Sequence, residues 1–396
     1  MKRMAAGKTP LSFTKTAPDD PFIPGSINNV FPRRYGSRPT LLLSGEEAYT
    51  CLLNTIRSAR RSVYISTFIF SQDPVGAAIL QALIEHVKKG LEVCLLVDDL
   101  GSFKLSKRFL APLKAAGGNY AFFMPMVHLP FRGRANLRNH RKMIIVDNSI
   151  AIIGGMNIAK EYMGPLPDAK RWNDISLYVR GTVVNDFVRV FASDWKFASG
   201  RDITCDPFEN KPMSIDPHEA DYQVVPSGPD MSGDDLYDAV LTLIFASRKR
   251  IWIVTPYFIP DEMMLKALCV AAARQIDVRL IVPDKSNHRF ADLIRRGYLR
   301  TAQQAGVRLY FYKPGMLHSK LILIDDAPAI IGSMNMDMRS FFLNYEIALF
   351  ISTPPVVADL NVYAEGLMQK SAVGLVKTYA VIEFLESISR LFAPLL

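Results

Sequence analysis

LHSKLILIDD, Leu317 to Asp326, places an imidazole, an ammonium and a carboxylate at the interval H-x-K-x4-D along what otherwise reads as a buried strand. The same interval occurs upstream in NHRKMIIVD, where it falls on His140, Lys142 and Asp147. Downstream it falls on His318, Lys320 and Asp325. Each copy is followed by a glycine and asparagine signature: IAIIGGMN (Ile150 to Asn157) is answered by PAIIGSMN (Pro328 to Asn335). One short match carries little weight, but two with the same trailing signature identify a duplicated unit.

Outward from these strands the chain alternates helix and strand. Ala48, Cys51, Leu52, Thr55, Ile56 and Ala59 recur at helical spacing between Glu46 and Arg60, and SVYISTFIF follows as a β-branched, aromatic strand. VGAAILQALIEHVKKG reads as a helix ended by Gly90, and LEVCLLVDD as an apolar strand. The order repeats later with LYDAVLTLIFASRKR, IWIVTPYFI, DEMMLKALCVAAARQ (capped by Asp261) and VRLIVPD. The histidines lie 178 residues apart, and the strand starts Val63 and Ile251 lie 188 apart. Near agreement of the two offsets predicts two similar α/β halves, each with a largely buried sheet. The expected division is a basic N-terminal arm (1–40), a first half (41–200), a linker rich in proline and acidic residues (201–222), a second half (223–352) and an amphipathic helical segment (353–396).

With 49% hydrophobic and 21% charged residues over 396 positions, the chain can bury a large core. Its net charge of +9 implies an anionic partner: nucleic acid, an anionic lipid surface or a phosphorylated metabolite. Cys51, Cys94, Cys205 and Cys269 are scattered, which suggests neither a disulfide framework nor a cysteine zinc site and fits a reducing compartment. The N-terminus lacks the apolar core of a signal peptide, and no stretch reaches the ~18 apolar residues that span a bilayer. Membrane association is therefore expected to be peripheral.

Residues two apart on a strand share a face, so each motif presents an imidazole beside an ammonium. The continuous apolar runs MIIV and LILI place these charges at a strand end or a cleft. Two imidazoles with free pKa values near 6.5 can divide the work at neutral pH, one as nucleophile and one as acid. Two ammonium groups suit a phosphodiester and its transition state, and Asn157 and Asn335 can donate to the non-bridging oxygens. Phosphodiester cleavage through a covalent phosphohistidine follows. Metal chemistry has little support: there is no H-E-x-x-H, and His86, His128, His218 and His288 show no ligand spacing. Ser319 and Ser333 lack the G-x-S-x-G elbow of a serine hydrolase.

These residues resemble the phospholipase D superfamily, defined by the duplicated H-x-K-x4-D motif. Within it, TPYFIPDEMMLKAL, AGVRLYFYKPGMLHSK, IIGSMNMDMRSFFLNYEI, NLRNHRKMIIVD and WND resemble the bacterial cardiolipin synthases, with similarity over most of residues 41–352 and again at the terminal SRLFAPLL. The resemblance implies a phospholipase D-like α/β fold whose two α/β/α halves, each with a mixed sheet, form one active site at their interface. It implies His140 as nucleophile, His318 as acid and base, Lys142, Lys320, Asn157 and Asn335 on the phosphate, and Asp174 and Glu346 orienting the histidines. Asp147 and Asp325 complete the catalytic motif, although strand-end carboxylates that stabilise a turn are the competing reading. Many synthases carry two N-terminal membrane helices, which the chain lacks as shorter members do, and Ser66 stands where relatives commonly have Glu.

The implied reaction is that of a cardiolipin synthase: a phosphatidyl group passes through a phosphohistidine to the alcohol of phosphatidylglycerol, with no metal or other cofactor. A phospholipase D-type hydrolase is the alternative, and a nuclease of the same superfamily a weaker one. The expected partners are anionic phospholipids, phosphatidylglycerol first and phosphatidylethanolamine second, and a membrane surface, with no nucleic acid. The expected location is the surface of the bacterial inner (cytoplasmic) membrane. FRGRANLRNHRK packs Arg132, Arg134, Arg138, Arg141 and Lys142 into the approach to His140, which suits anionic headgroups. Leu375, Tyr379, Ile382, Leu385, Ile388 and Phe392 form an apolar stripe near the C-terminus.

Overall fold

A computed structural model describes residues 31–125, 136–203 and 219–375. After β1 (Arg34–Ser37), the first half runs β2 (Thr40–Leu42), α1 (Gly45–Arg57), β3 (Ser62–Thr67), α2 (Pro74–Lys88), β4 (Glu92–Asp98), α3 (Lys107–Ala115), β5 (Asn119–Phe123), β6 (Met143–Val146), β7 (Ile150–Gly154), β8 (Ser176–Arg180) and α4 (Val184–Ser199). The second half continues with β9 (Glu219–Ser227), α5 (Asp235–Ala246), β10 (Arg250–Val254), β11 (Phe258–Ile259), α6 (Glu262–Ala273), β12 (Asp277–Pro283), α7 (Arg289–Gln304) and β13 (Arg308–Tyr312). It ends with β14 (Leu321–Ile324), β15 (Ala329–Gly332), β16 (Met336–Asp337), α8 (Met338–Phe342), β17 (Glu346–Ile351), α9 (Pro354–Gln369) and β18 (Ser371–Val373).

Local chemistry sets several boundaries. Ser44 and Glu47 form a capping box at the start of α1, and Asp73 caps α2 just before Pro74. Asp261 accepts from Met263 N–H, as its position in the sequence predicts. Gly200, in the left-handed region at φ 72°, ends α4.

The repeat is visible strand by strand. One sheet orders its strands β2-β8-β7-β6-β3-β4-β5, and the other contains β9-β17-β15-β14-β10-β12-β13. In both, a parallel trio (β3-β4-β5 and β10-β12-β13) adjoins an antiparallel set. The motif strands match in register, with Met143 opposite Ile153 in the first half and Leu321 opposite Ile331 in the second.

Alternation sends each strand's side chains to two cores. Val63 and Ile65 pack outward under α1, α2 and α3. Tyr64, Met143 and Ile145 pack inward, where the two sheets meet over α4 and α9 in one shared core. The second half has its own outer core under α5, α6 and α7. The layers therefore run helix, sheet, helix, sheet, helix, and the central layer joins the halves.

Three expected boundaries change. The arm assigned to 1–40 already contains β1, which pairs with β9 of the second half, Arg34 lying opposite Tyr222. Arg34 also pairs with the buried Asp186 at 2.8 Å. The expected linker ends early, because β9 begins at Glu219. Residues 354–369 form α9, whose Val356, Leu360, Ala364 and Leu367 complete the shared core. Of the apolar C-terminal stripe only Leu375 falls within the described residues.

Candidate active site

His140 and His318 each stand three residues before a motif strand begins. There the backbone crosses to the other half. His140 N–H donates to Tyr345 O (2.9 Å) and Tyr345 N–H to Arg138 O (2.8 Å); His318 N–H donates to Asn173 O (2.7 Å) and Asn173 N–H to Met316 O (2.8 Å). In each partner segment the next residue is a carboxylate. Nδ1 of His140 therefore lies 3.0 Å from both oxygens of Glu346, and Nδ1 of His318 lies 2.6 Å from Asp174 Oδ2. Each histidine is oriented by an acid from the opposite half. That leaves Nε2 of His140 for chemistry, while Nε2 of His318 lies 3.2 Å from Lys320 Nζ.

The two acids occupy equivalent places. Gly154 pairs with Ser176 and Gly332 with Ala348, so Asp174 and Glu346 each stand two residues before matching positions. Ser333 donates its hydroxyl to Glu346, whereas its counterpart Gly155 carries no side chain. A Cβ there would stand 2.3 Å from Asp174 Oδ1.

Burial dominates the electrostatics. It pushes His140 down to about 4, with Lys142 adding to the effect and Glu346 opposing it. His318 falls to about 3 for the same reasons, with Lys320 adding and Asp174 opposing. Burial likewise lowers Lys142 to about 7 and Lys320 to about 8, although carboxylates from both halves resist. Burial would raise the two acids, but His140 and Lys142 hold Glu346 below its ordinary range, and His318 and Lys320 do the same for Asp174. Near neutral pH the site holds ionised carboxylates beside imidazoles that resist a second proton.

Both histidines, Asn157 and Asn335 line one cavity of about 390 Å³. Asn157 Oδ1 accepts from Ile69 N–H at 3.0 Å, while the buried Oδ1 of Asn335 has no hydrogen-bond partner among the described residues. The lysines stand behind the wall. Lys142 Nζ donates to His140 O at 2.7 Å, and Lys320 Nζ donates to His318 O and lies 2.8 Å from His318 Nδ1. Ser66 is buried in β3 opposite Met143 and adds no charge beside Lys142.

Two expectations are corrected. Asp147 and Asp325 sit at the far ends of their strands, outside the cavity. Asp147 accepts from the backbone N–H groups of Arg60, Arg61 and Ser62, and Asp325 from those of Arg248, Lys249 and Arg250. Both adopt positive φ, 53° and 51°, which a short acidic residue tolerates in a turn. The motif aspartates thus fasten the motif hairpin to the start of the neighbouring strand.

Arg138 and Arg141 do not face a substrate either: both are fully buried. Arg141 binds Asp194 of α4 at 2.7 Å, Ser227 O at 2.9 Å and Glu346 O at 3.0 Å, so it ties the halves together. Arg138 donates to Met124 O and faces Asp98 at 3.6 Å. Arg132 and Arg134 lie outside the described residues.

The structure adds residues that sequence reasoning left without a role. His318 packs against the rings of Tyr162 and Trp172, and His140 against Phe68. Tyr363 of α9 donates to Asn173 Oδ1 at 2.7 Å and meets Ser319 Oγ at 2.6 Å, supporting the segment that carries Asp174. Trp172 belongs to the WND stretch, but a tyrosine on a late helix gives no local signal.

The family described as "Cardiolipin synthase, PLD-like domain" matches residues 52–195 and 240–368, one motif in each segment. The chain is 34% identical over 373 residues to a cardiolipin synthase of Geobacillus thermodenitrificans, covering 92% of this chain and 74% of that protein. It is 35% identical over 370 residues to a cardiolipin synthase of Alkalihalophilus pseudofirmus, covering 92% and 73%. Among solved structures, phosphatidylserine synthase of Haemophilus influenzae superposes with a TM-score of 0.72 at 17% identity, covering 94% of this chain and 98% of that one. Polyphosphate kinase of Porphyromonas gingivalis reaches 0.59 at 12% identity, covering 89% and 53%. At such identities the structures speak for the fold alone, whereas the family match and the relatives, which span both motif strands and both orienting acids, place the chain among the phospholipase D-like cardiolipin synthases, a family of phosphatidyltransferases.

Proposed function

We propose that this enzyme moves a phosphatidyl group from one phosphatidylglycerol to the glycerol hydroxyl of a second, through a phosphohistidine on His140. The observation that carries the reading is the reciprocal pairing of His140 with Glu346 and His318 with Asp174 over one cavity.

Glu346 accepts from Nδ1 of His140, which leaves Nε2 neutral and free to attack phosphorus. Burial and Lys320 keep His318 neutral in the free enzyme, and the 2.6 Å contact with Asp174 opposes them and holds a proton there once substrate binds. The phosphodiester's own negative charge lifts the proton affinity of that imidazole further. As the Nε2–P bond forms, the bond from phosphorus to the headgroup glycerol breaks, and His318 gives its proton to the departing oxygen. In the second step His318 takes the proton of the incoming hydroxyl, the new oxygen bonds to phosphorus, and the P–N bond breaks. The products are cardiolipin and glycerol.

Asn157 and Asn335 contact the non-bridging oxygens, and Lys142 and Lys320 supply positive charge directly behind them. Phe68, Tyr162 and Trp172 crowd the imidazoles and limit the room for water, which favours transfer over hydrolysis. No step requires a metal. Phosphatidylethanolamine is a second possible donor, and the enzyme works peripherally at the inner-membrane surface without nucleic acid. Among the described residues no helix is long and apolar enough to cross a membrane.

The test is product analysis with labelled phosphatidylglycerol vesicles and EDTA, beside His140→Ala and His318→Asn. Cardiolipin and glycerol from wild type, none from either variant, and a phosphatidyl adduct on the His140 peptide of wild type after acid-free quenching are expected. Phosphatidic acid as sole product would replace transfer by hydrolysis, and an adduct on His318 would exchange the two roles.

A further inference from the structure

The mouth of the catalytic cavity can be located from its lining. Most lining residues are buried or half-buried; Leu100, Asn287 and His288 are the exposed ones. They belong to two loops, 99–106 after β4 and 284–288 after β12, which leave equivalent strands of the two halves at the carboxyl ends where α/β sheets bind ligands. The first loop, and the helix that the second loop enters, each carry an aromatic ring into solvent beside cations. Phe103 is 70% exposed and is followed by the exposed Lys104, Lys107 and Arg108. Phe290, at the start of α7, is 47% exposed between the exposed Arg289 and the cavity-lining Ala291, with the exposed Lys285 nearby.

Neither ring is exposed for want of structure. Asp98 accepts from Leu100 and Gly101 N–H at 3.0 and 2.9 Å, and Ser102 bridges Phe68 O and Phe70 N–H, so Phe103 rides on a braced turn. In the other loop Ser286 N–H donates to Asp292 at 2.9 Å, and Tyr257 donates to Asn287 at 2.5 Å. Isolated exposed apolar residues need no explanation, but two braced aromatics flanking one cavity mouth, each among cations, match the make-up of a lipid-facing surface.

We infer that these loops form a two-point membrane dock, in which Phe103 and Phe290 insert at the acyl boundary of an anionic bilayer. Lys104, Lys107, Arg108, Lys285 and Arg289 meet the headgroups. The occupant follows from charge and size. The cations favour an anionic surface. A cavity of about 390 Å³ accommodates a headgroup and its phosphate but not two acyl chains, which therefore stay in the bilayer while the phosphodiester reaches the histidines. The inference rests on the lipid-transfer reading and names the surface through which it operates.

The test uses the full chain with F103S, F290S, the double variant, and K104E/K107E/R108E. Co-sedimentation is measured with vesicles of phosphatidylglycerol and phosphatidylcholine, and turnover is measured on those vesicles and on short-chain phosphatidylglycerol below its micellar concentration. None of the substituted residues lines the cavity, and unchanged thermal midpoints verify folding. The expected result is vesicle affinity about tenfold lower for each single Phe variant and more for the double and the charge reversal, with a parallel loss of turnover on vesicles and full turnover on the monomeric lipid. Vesicle binding of the double variant equal to wild type would overturn the dock. Equal loss of turnover on vesicles and on monomeric lipid would overturn it too, because the loops would then act on catalysis. Wild type that binds vesicles through these loops yet turns over neither lipid would leave the dock standing and sink the transfer reading.

Discussion

Gly155 and Ser333 sit behind the two acids at matching positions, their N–H groups donating to Ile175 O and Ile347 O. The second site has room for a hydroxyl that steadies Glu346, while the first has none, because a Cβ at Gly155 would meet both oxygens of Asp174 at 2.3 and 2.7 Å. Gly155→Ala should therefore push Asp174 aside and tilt His318. Steady-state kinetics are expected to show kcat reduced about 100-fold with KM changed far less. Asp325→Ala is expected to act on stability instead. It strips three backbone N–H groups of their acceptor and should cost about 2 kcal/mol in chemical denaturation, while turnover per folded molecule stays within about twofold of wild type. A collapse of turnover in a folded Asp325→Ala protein would restore the aspartate to the chemistry.

At the scale of elements, the motif strands were legible because two periodic signals coincided: the repeated His-Lys spacing and the continuous apolar runs of a sheet covered on both faces. Strand ends were less so. SVYISTFIF reads as one strand, but its continuous ladder ends at Thr67: Phe68 and Ile69 turn to wall the cavity beside His140, and Phe70 makes only an isolated bridge to Ile158. IWIVTPYFI likewise divides into β10 and β11. Arg141 was misread for a physical reason, since a guanidinium buried by aspartates far along the chain looks in sequence like any basic loop residue. Its partners span α4 and the second half, so Arg141→Leu removes the cation beside the buried Asp194, which still accepts from the Asn139 amide. That variant should lose about 3–5 kcal/mol, and Asp194→Leu added to it should recover part of the loss, as a double-mutant cycle would show.

At the scale of the whole molecule, the buried charges set a pH response. The native pKa values of His140 and His318, about 4 and 3, lie below the ordinary value, so the unfolded chain binds more protons as pH falls. Their contribution to stability is complete above about 6.5 and is lost as pH drops through about 4 for His140 and about 3 for His318. The lowered acids Asp174 and Glu346 act in the same direction at lower pH. Thermal midpoints should fall on acidification from neutrality, less steeply in a His140→Asn/His318→Asn protein. Activity should fail on the alkaline side as well. With Lys142 near 7 and Lys320 near 8, the free enzyme sheds the positive charge behind the phosphate far below the range of an ordinary lysine. The alkaline limb of kcat/KM should therefore bend between about 7 and 8, and a plateau extending beyond pH 9 would contradict these values.

The crossed wiring of imidazoles and acids also bears on ancestry. Each half holds a histidine it cannot orient and an acid it does not use, which is what an isologous pair of identical subunits would show about a dyad axis. A forebear of half the length would have owned the complete reaction centre as soon as it associated with its own copy. Joining the copies in one gene then released them from identity, and the glycine behind a short acid on one side and the serine behind a long acid on the other record how far that release has gone.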